Sequence, residues 1–421
     1  MNPLKEVLKN QIELVQVSNE VKTNIDKISS DFVKDLQNKL KKKKIGAEVF
    51  IGGSLAKGTL VKKGTYDIDI FVRFNEKYRG KDISHELGRV LGKKVKRVHG
   101  SRDYYQFIVD GIVLEIVPVL GIKNPEDAEN VTDLSYFHVN YLLKKIRRKK
   151  KIAGEIMLAK AFCSAQNCYG AEGYIHGFSG YSLELLMCYY ESFERFLKEV
   201  ITSKNKIIID DAKFFKRKKD ILTQVNESKI LSPIILIDPT FKERNALAGL
   251  NEETFAKFKE VSKKFLKNPS PKFFDKVNVG EEIRKKYGKE LKIINVSTNK
   301  QVGDIAGTKS RKFFDFFNFR LNRNFVIKKS EFEYDSRKNI AYFYFVLDKK
   351  KDEIIRGPPV SNKKNLSAFK KANKGVFVKN GFGYLKRKYE LSFENWFKLF
   401  VKKEEKIIKQ MSIKEIKLRL N

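Results

Sequence analysis

The chain has 421 residues, 42% hydrophobic and 12% aromatic, which excludes a disordered or fibrous protein and allows two to four domains, each with its own core. Lys and Arg number 87 against 51 acidic residues, a net charge of +36 that calls for a polyanionic partner such as nucleic acid. Cys163, Cys168 and Cys188 form no CxxC pair and the four histidines are scattered, so no zinc site or disulfide framework is indicated and a reducing cytoplasm is the expected setting. The amphipathic start carries acids, unlike a signal peptide, and no apolar run approaches the roughly 20 residues of a membrane span.

Apolar residues at three- and four-residue spacing predict a helix over 3–44, ending in a lysine run. Residues 47–51 predict a short strand that enters Gly52-Gly53-Ser54. Gly53 lets the backbone approach an anion, and Ser54 offers a hydroxyl and an amide at an expected helix start. Residues 66–74 predict a strand on which Asp67 and Asp69 point to the same face. Two carboxylates side by side repel unless a cation lies between them, and oxygen-only ligands suit Mg²⁺. A phosphate cradle beside a carboxylate pair is the arrangement for metal-assisted nucleotidyl transfer. The Gly53 to Gly58 spacing imitates an ATPase P-loop, but Thr59 stands where that loop needs lysine, so reaction at the α-phosphate is expected.

Helical sequence follows over 81–96. Residues 106–109, an Asp110-Gly111 turn and residues 112–120 then read as a hairpin. Glu115 is a lone acid among apolar neighbours on its second arm. If that arm pairs beside 66–74, Glu115 becomes a third carboxylate facing Asp67 and Asp69. A basic stretch at 141–151 precedes helices over 155–168 and 181–200, joined by a turn-rich 169–174 connection. A strand at 234–237 ends in Asp238-Pro239, and Arg244-Asn245 is expected to open a further helix. From about 276 the sequence turns to strands rich in Phe, Tyr and Lys, with basic clusters at 309–328 and 362–379 and a loop at Gly357-Pro358-Pro359. Helical pattern returns near 393–399. Read singly, Lys160 is a solvated lysine, Tyr169 a loop or core aromatic, His138 a structural histidine, and Arg244 the partner of a nearby acid such as Glu243.

The ordered set GGSLAKGT, YDIDIFVRF, LEIVPVL, DLSYFHVNYL, EIMLAKAF, NCYGAEGYIHGFSGYSLELL and LIDPTFKERNALAGL, spread over about the first 250 residues, resembles archaeal class I tRNA CCA-adding nucleotidyltransferases. The resemblance implies an α+β multidomain fold. Its parts are a polymerase-β-like nucleotidyltransferase head of mixed sheet and helices (1–145), a helical neck (146–270), an α+β body (271–310 and 379–421) and a tRNA-binding tail (311–378). It makes Asp67, Asp69 and Glu115 the catalytic carboxylates holding two Mg²⁺ ions, although the family usually has Asp at the third position. It makes Gly53, Ser54, Lys57 (where Arg is common), His138, Lys160, Tyr169 and Arg244 the nucleotide-binding residues, with Arg244 helping to choose between C and A. Asp133-Leu134-Ser135 stands where relatives have Asp-Arg-Thr, so no role passes to Leu134.

The implied activity is template-independent addition of CCA to the 3′ end of tRNA from CTP and ATP, with pyrophosphate released, by a cytoplasmic homodimer that needs no membrane. Poly(A)-type and other terminal RNA nucleotidyltransferases share the carboxylates but would not stop after three additions. Cyclic-dinucleotide and oligoadenylate synthetases share them too, but would be activated by RNA rather than extend it. A non-enzymatic tRNA-binding protein would have no reason to keep buried acids.

Overall fold

The structure is a computed structural model that describes residues 3–93 and 95–419. It divides into two units, one running to residue 277 without 172–174, the other made of 172–174 and the rest of the chain from 278. No helix among the described residues is long and apolar enough to cross a membrane.

The expected helix over 3–44 is two helices, α1 (Pro3–Val15) and α2 (Asn19–Lys42). The Ser18 hydroxyl accepts from the Val21 amide and starts α2 afresh, a break that no Pro or Gly announces. There follow β1 (Ala47–Ile51), the one-turn α3 (Gly53–Ala56), β2 (Tyr66–Phe74) and α4 (Ile83–Leu91), then β3 (Lys96–Val98), β4 (Tyr104–Val109) and β5 (Ile112–Leu120). Helix α4 is shorter than its expected span because Gly92, at φ 76°, turns the chain out of the helix. The five strands form one sheet in the order β1-β2-β5-β4-β3, with β2 and β5 parallel and the other pairs antiparallel. Ile25, Leu36 and Leu40 of α2 and Leu87 of α4 bury the sheet residues Ile68, Ile70, Leu114 and Ile116. That packing leaves the alternate strand positions, Asp67, Asp69 and Glu115, on the other face.

A second core in this unit is helical. It uses α5 (Ser135–Arg148), α6 (Ile152–Ala165), α7 (Gly180–Tyr190) and α8 (Phe193–Thr202). After β6 (Ile207–Ile209) and α9 (Lys218–Gln224) come the hairpin β7 (Ile234–Asp238) and β8 (Phe241–Asn245), and then α10 (Glu252–Lys267). Phe162, Phe178, Phe196, Phe258 and Phe265 fill its centre, each worth roughly 1.5–3 kcal/mol over an exposed ring. Leu4 and Leu8 of α1 belong to this core and not to that of the sheet. The helix expected over 181–200 is broken where Glu191 adopts φ 59° and Ser192 caps α8. Arg244-Asn245 closes a strand instead of opening a helix. The Asn245 side chain accepts from the Leu236 and Leu247 amides and ties that end to β7.

The other unit contains α11 (Val279–Tyr287), β9 (Leu291–Thr298), α12 (Gly303–Leu321), β10 (Phe325–Asp335) and β11 (Ile340–Lys349), then β12 (Glu353–Pro359), α13 (Lys363–Ala372), β13 (Val376–Lys379) and β14 (Phe382–Arg387). It ends with α14 (Phe393–Lys403), α15 (Glu405–Gln410) and β15 (Ile413–Arg419). One sheet has the order β10-β11-β9-β15 and a second the order β12-β14-β13. Within the span 311–378, residues 325–349 pair into the sheet of β9, and a separate small sheet with α13 covers 353–387. Gly357-Pro358-Pro359, expected as a loop, closes β12, where the register breaks between Arg356 and Pro359.

Candidate active site

Parallel pairing of β2 with β5 sets Asp67 opposite Val113 and Asp69 opposite Glu115. The three carboxylates thus share one sheet face. The turn after β1 closes over Asp69, because the Gly52 amide donates to its carbonyl at 2.9 Å. Gly53 has φ +57°, and a Cβ built there would lie 1.7 Å from Asp69 Oδ2. Only glycine allows the turn to sit this close to the carboxylate. Burial pushes the Asp69 carboxyl up, opposed by Lys57 and reinforced by Asp67. Burial likewise raises Glu115, against the hydrogen bond it accepts from Gln106 Nε2 at 2.9 Å. Asp67 is more exposed and takes Lys63 Nζ at 2.5 Å. Among the described residues no three Asp, Glu, His or Cys side chains are gathered as a ready-made metal cage, since Asp67 and Glu115 are held by these neighbours. The donor set nevertheless fits a hard cation: oxygen ligands only, on one face, two with carboxyls raised by burial and like charge.

Behind the turn, Lys57 and Lys160 converge on a residue the sequence reading passed over, Glu184 of α7. Lys57 Nζ lies 2.6 Å from Glu184 Oε2 and Lys160 Nζ 2.8 Å from Oε1. Lys160 also donates to Thr59 Oγ1 at 3.2 Å, and that hydroxyl donates to Glu184 Oε1 at 3.3 Å. Burial alone would raise Glu184, yet Lys160 and Lys57 together bring its carboxyl down to about 2. Lys160 is therefore buried and paired, not a solvated helix lysine.

Tyr169 is brought near the same cluster by the GFSGY turn. A Cβ at Gly180 would lie 2.8 Å from Tyr169 Oη and 3.9 Å from Lys160 Cε, and a Cβ at Gly177 would meet the Cys168 carbonyl at 2.2 Å. Both glycines are space requirements. Ser179 between them caps α7, accepting from the Ser182 amide at 3.1 Å.

A second cluster gathers around Asp238, a buried carboxylate at the end of β7. It accepts from Tyr181 Oη at 2.9 Å, from the Thr240 amide at 2.9 Å and from the Thr240 hydroxyl at 2.7 Å. Arg244 donates to its other oxygen at 2.6 Å. His138 Nε2 approaches that oxygen to 3.0 Å, at an angle that leaves it without a well-directed hydrogen bond. The imidazole stacks on Tyr181 with ring centres 4.0 Å apart, and the Arg244 guanidinium lies 5.4 Å from the Tyr181 ring centre. Burial would raise Asp238, but His138 and Arg244 hold it well below the usual carboxylate range. Burial lowers His138, opposed by Asp238. Arg244 thus pairs with Asp238 and not with its neighbour Glu243. A planar cation and two stacked rings, anchored by one carboxylate, make a surface able to hydrogen-bond and stack a base.

The residues expected from sequence fall into three groups. Asp67, Asp69, Glu115, Gly53 and Ser54 lie at the sheet face and its turn, Lys57, Lys160 and Tyr169 in or beside the Glu184 cluster, and His138 and Arg244 at Asp238. Glu184, Tyr181 and Asp238 were missed. The one signal for Glu184 is a lone acid in Leu183–Met187, a stretch buried throughout.

A model of the nucleotidyltransferase domain matches residues 32–117, and a model of the second domain of tRNA nucleotidyltransferase matches 154–275. The chain is 41% identical to a CCA-adding enzyme of Nanoarchaeum equitans over 212 residues, half of this chain and 53% of that protein's length. It is 33% identical to the CCA-adding enzyme of Methanocaldococcus jannaschii over 81% of this chain and 78% of the relative. For that of Methanococcus maripaludis the figures are 30%, 92% and 88%. Solved structures of the Cid1 poly(U) polymerase align at TM-score 0.50 and 12% identity, over 65% of this chain and 98% of theirs, a likeness of fold.

Proposed function

This chain belongs to the family of archaeal CCA-adding enzymes, and we propose on that basis that it adds C, C and A to the 3′ end of tRNA from CTP and ATP, releasing pyrophosphate. The observation that carries the reading is the β2–β5 register, which sets Glu115 beside Asp69 under the Gly53 turn.

Asp67, Asp69 and Glu115 would hold two divalent ions, Mg²⁺ by the hardness of the oxygen donors. Such ions, when bound, acidify the terminal hydroxyl and stabilise the leaving pyrophosphate. The chain's own residues do the positioning. The Gly53 amide, Ser54, Lys57, Lys160 and Tyr169 hold the triphosphate, contacts each worth on the order of 2–4 kcal/mol when aimed at developing charge. Arg244 and His138 meet the base, with Asp238 fixing the guanidinium. The small sheet over 353–387 and the Lys-rich surface supply backbone contacts to the acceptor arm, since A-form RNA gives side chains little access to its bases. A polymerase-β-like head, a helical neck built on the second core, and a cytoplasmic homodimer complete the proposal.

The test is primer extension with Mg²⁺ on three tRNAs, ending at the discriminator base, at C and at CC, each given CTP, ATP or both. Stops at CC with CTP and at CCA with both are expected, and Asp69→Ala should abolish extension while tRNA binding persists. A long A-ladder would mean a poly(A)-type polymerase. No extension with binding intact would leave a tRNA-binding protein.

A further inference from the structure

Glu184 has no place in the functional assignment above, yet it is a deeply enclosed charge beside the site, 1% exposed on α7. Each of its oxygens takes one ammonium, Lys57 from the turn that follows α3 and Lys160 from α6. Thr59, fully buried, bonds both Lys160 and the carboxylate. The cluster therefore ties the segment after the Gly53 turn to two helices of the other core.

Stability is a poor explanation for such a group. Desolvating a carboxylate and two ammoniums offsets most of their attraction, and apolar side chains of similar volume commonly do as well. The charge count is also uneven, with one carboxylate facing two ammoniums and a surplus positive charge answered only in part by Asp69. An ammonium has three N–H donors. Lys57 gives one to Glu184 and Lys160 gives one each to Glu184 and Thr59, so three donor directions remain for a polyanion.

We infer that Glu184 is a positioning residue for nucleotide binding: it yokes Lys57 and Lys160 into a single two-lysine cradle for a triphosphate. The inference rests on the reading of this site as a nucleotidyltransferase. Glu184 touches no substrate in this account and acts only through the lysines. Both incoming nucleotides carry the same triphosphate, so Glu184 serves CTP and ATP alike and takes no part in choosing between them.

The experiment uses the full chain and inorganic tripolyphosphate, a ligand with no base or sugar, measured by calorimetry alongside steady-state extension of a CC-ending tRNA. Glu184→Gln should weaken tripolyphosphate and ATP by tenfold or more. It should raise KM for ATP and CTP by the same factor, and leave kcat and the KM for tRNA within threefold. Adding Lys160→Ala to Glu184→Gln should lose little more, since the lysine has already lost its anchor. If Glu184→Gln does not fold, Glu184→Asp keeps the charge on a shorter arm and should show the same selective loss at reduced size. Unchanged or tighter tripolyphosphate binding in a folded variant overturns the inference, the tighter case because Glu184 would then compete with phosphate. A wild-type chain that binds tripolyphosphate and loses it in the variant, but extends no tRNA, keeps the inference and removes the CCA reading. A wild-type chain that binds no tripolyphosphate but extends tRNA removes the inference and keeps the CCA reading.

Discussion

Gly53→Ala is the substitution whose outcome the geometry fixes most tightly, because Gly58→Ala provides its control. Gly53 sits at φ +57° and Gly58 at φ +64°, so an alanine at either position pays a similar left-handed penalty, about 1–2 kcal/mol. The surroundings differ. At Gly58 nothing lies within 4 Å of the new methyl group, whereas at Gly53 it would stand 1.7 Å from Asp69 Oδ2 and 2.7 Å from its Cγ. Real Cβ contacts essentially never fall below 3.0 Å, so the turn and the carboxylate must part by more than 1 Å. A misplacement of about 1 Å in a reacting constellation costs roughly a hundredfold. Single-turnover addition of AMP to a CC-ending tRNA is therefore expected to slow by about two orders of magnitude in Gly53→Ala and by less than about threefold in Gly58→Ala. Gly58→Ala should lose a few degrees of thermal stability, and Gly53→Ala more, because the clash adds to the shared penalty. Equal rates in the two variants would refute the reasoning.

Asp238→Asn keeps the Thr240 contacts and releases Arg244 and His138 from their shared anion. Discrimination of ATP over CTP at the third addition should fall at least tenfold, about 1.4 kcal/mol, as measured by competing nucleotides on a CC-ending primer. The pH dependence of stability follows from Glu184. Its folded carboxyl is depressed from 4.5 to about 2, so its contribution is fully present above pH 4.5 and is lost as pH falls towards 2. The thermal-stability gap between wild type and Glu184→Gln should accordingly shrink across that window and stay constant above it. Finally, a chain of net charge +36 gripping RNA by its phosphates should lose affinity linearly in log salt, whereas a flat titration would contradict backbone recognition.

Legibility in the sequence followed the range of the physics. Alternation along 66–74 displayed the Asp67/Asp69 face because period two is local, and the Asp110-Gly111 turn fixed the arm carrying Glu115. The breaks at Ser18 and Glu191 were hidden, as neither needs Pro or Gly and the apolar spacing runs on through both. Nothing local tells the strand 340–349 that its partner is residues 291–298. Asp238 was hidden for the same reason, and Glu184 showed only as a lone acid in an apolar stretch. An acid declares its role through its partners, and the lysine that bonds Glu184 Oε2 lies 127 positions away.

The placement of α1 has a mechanical consequence. Helix α1 lies in the helical core, where Leu4 and Leu8 are embedded, and the backbone leaves that core at 16–18 to build the sheet and returns through α5. The sheet domain is thus spliced into the helical one and joined to it by two covalent strands instead of one. A body on a single tether can swivel freely, whereas a body on two is limited to bending about the line between them. Any movement of the sheet against the helices is thereby restrained at two points of the backbone instead of one.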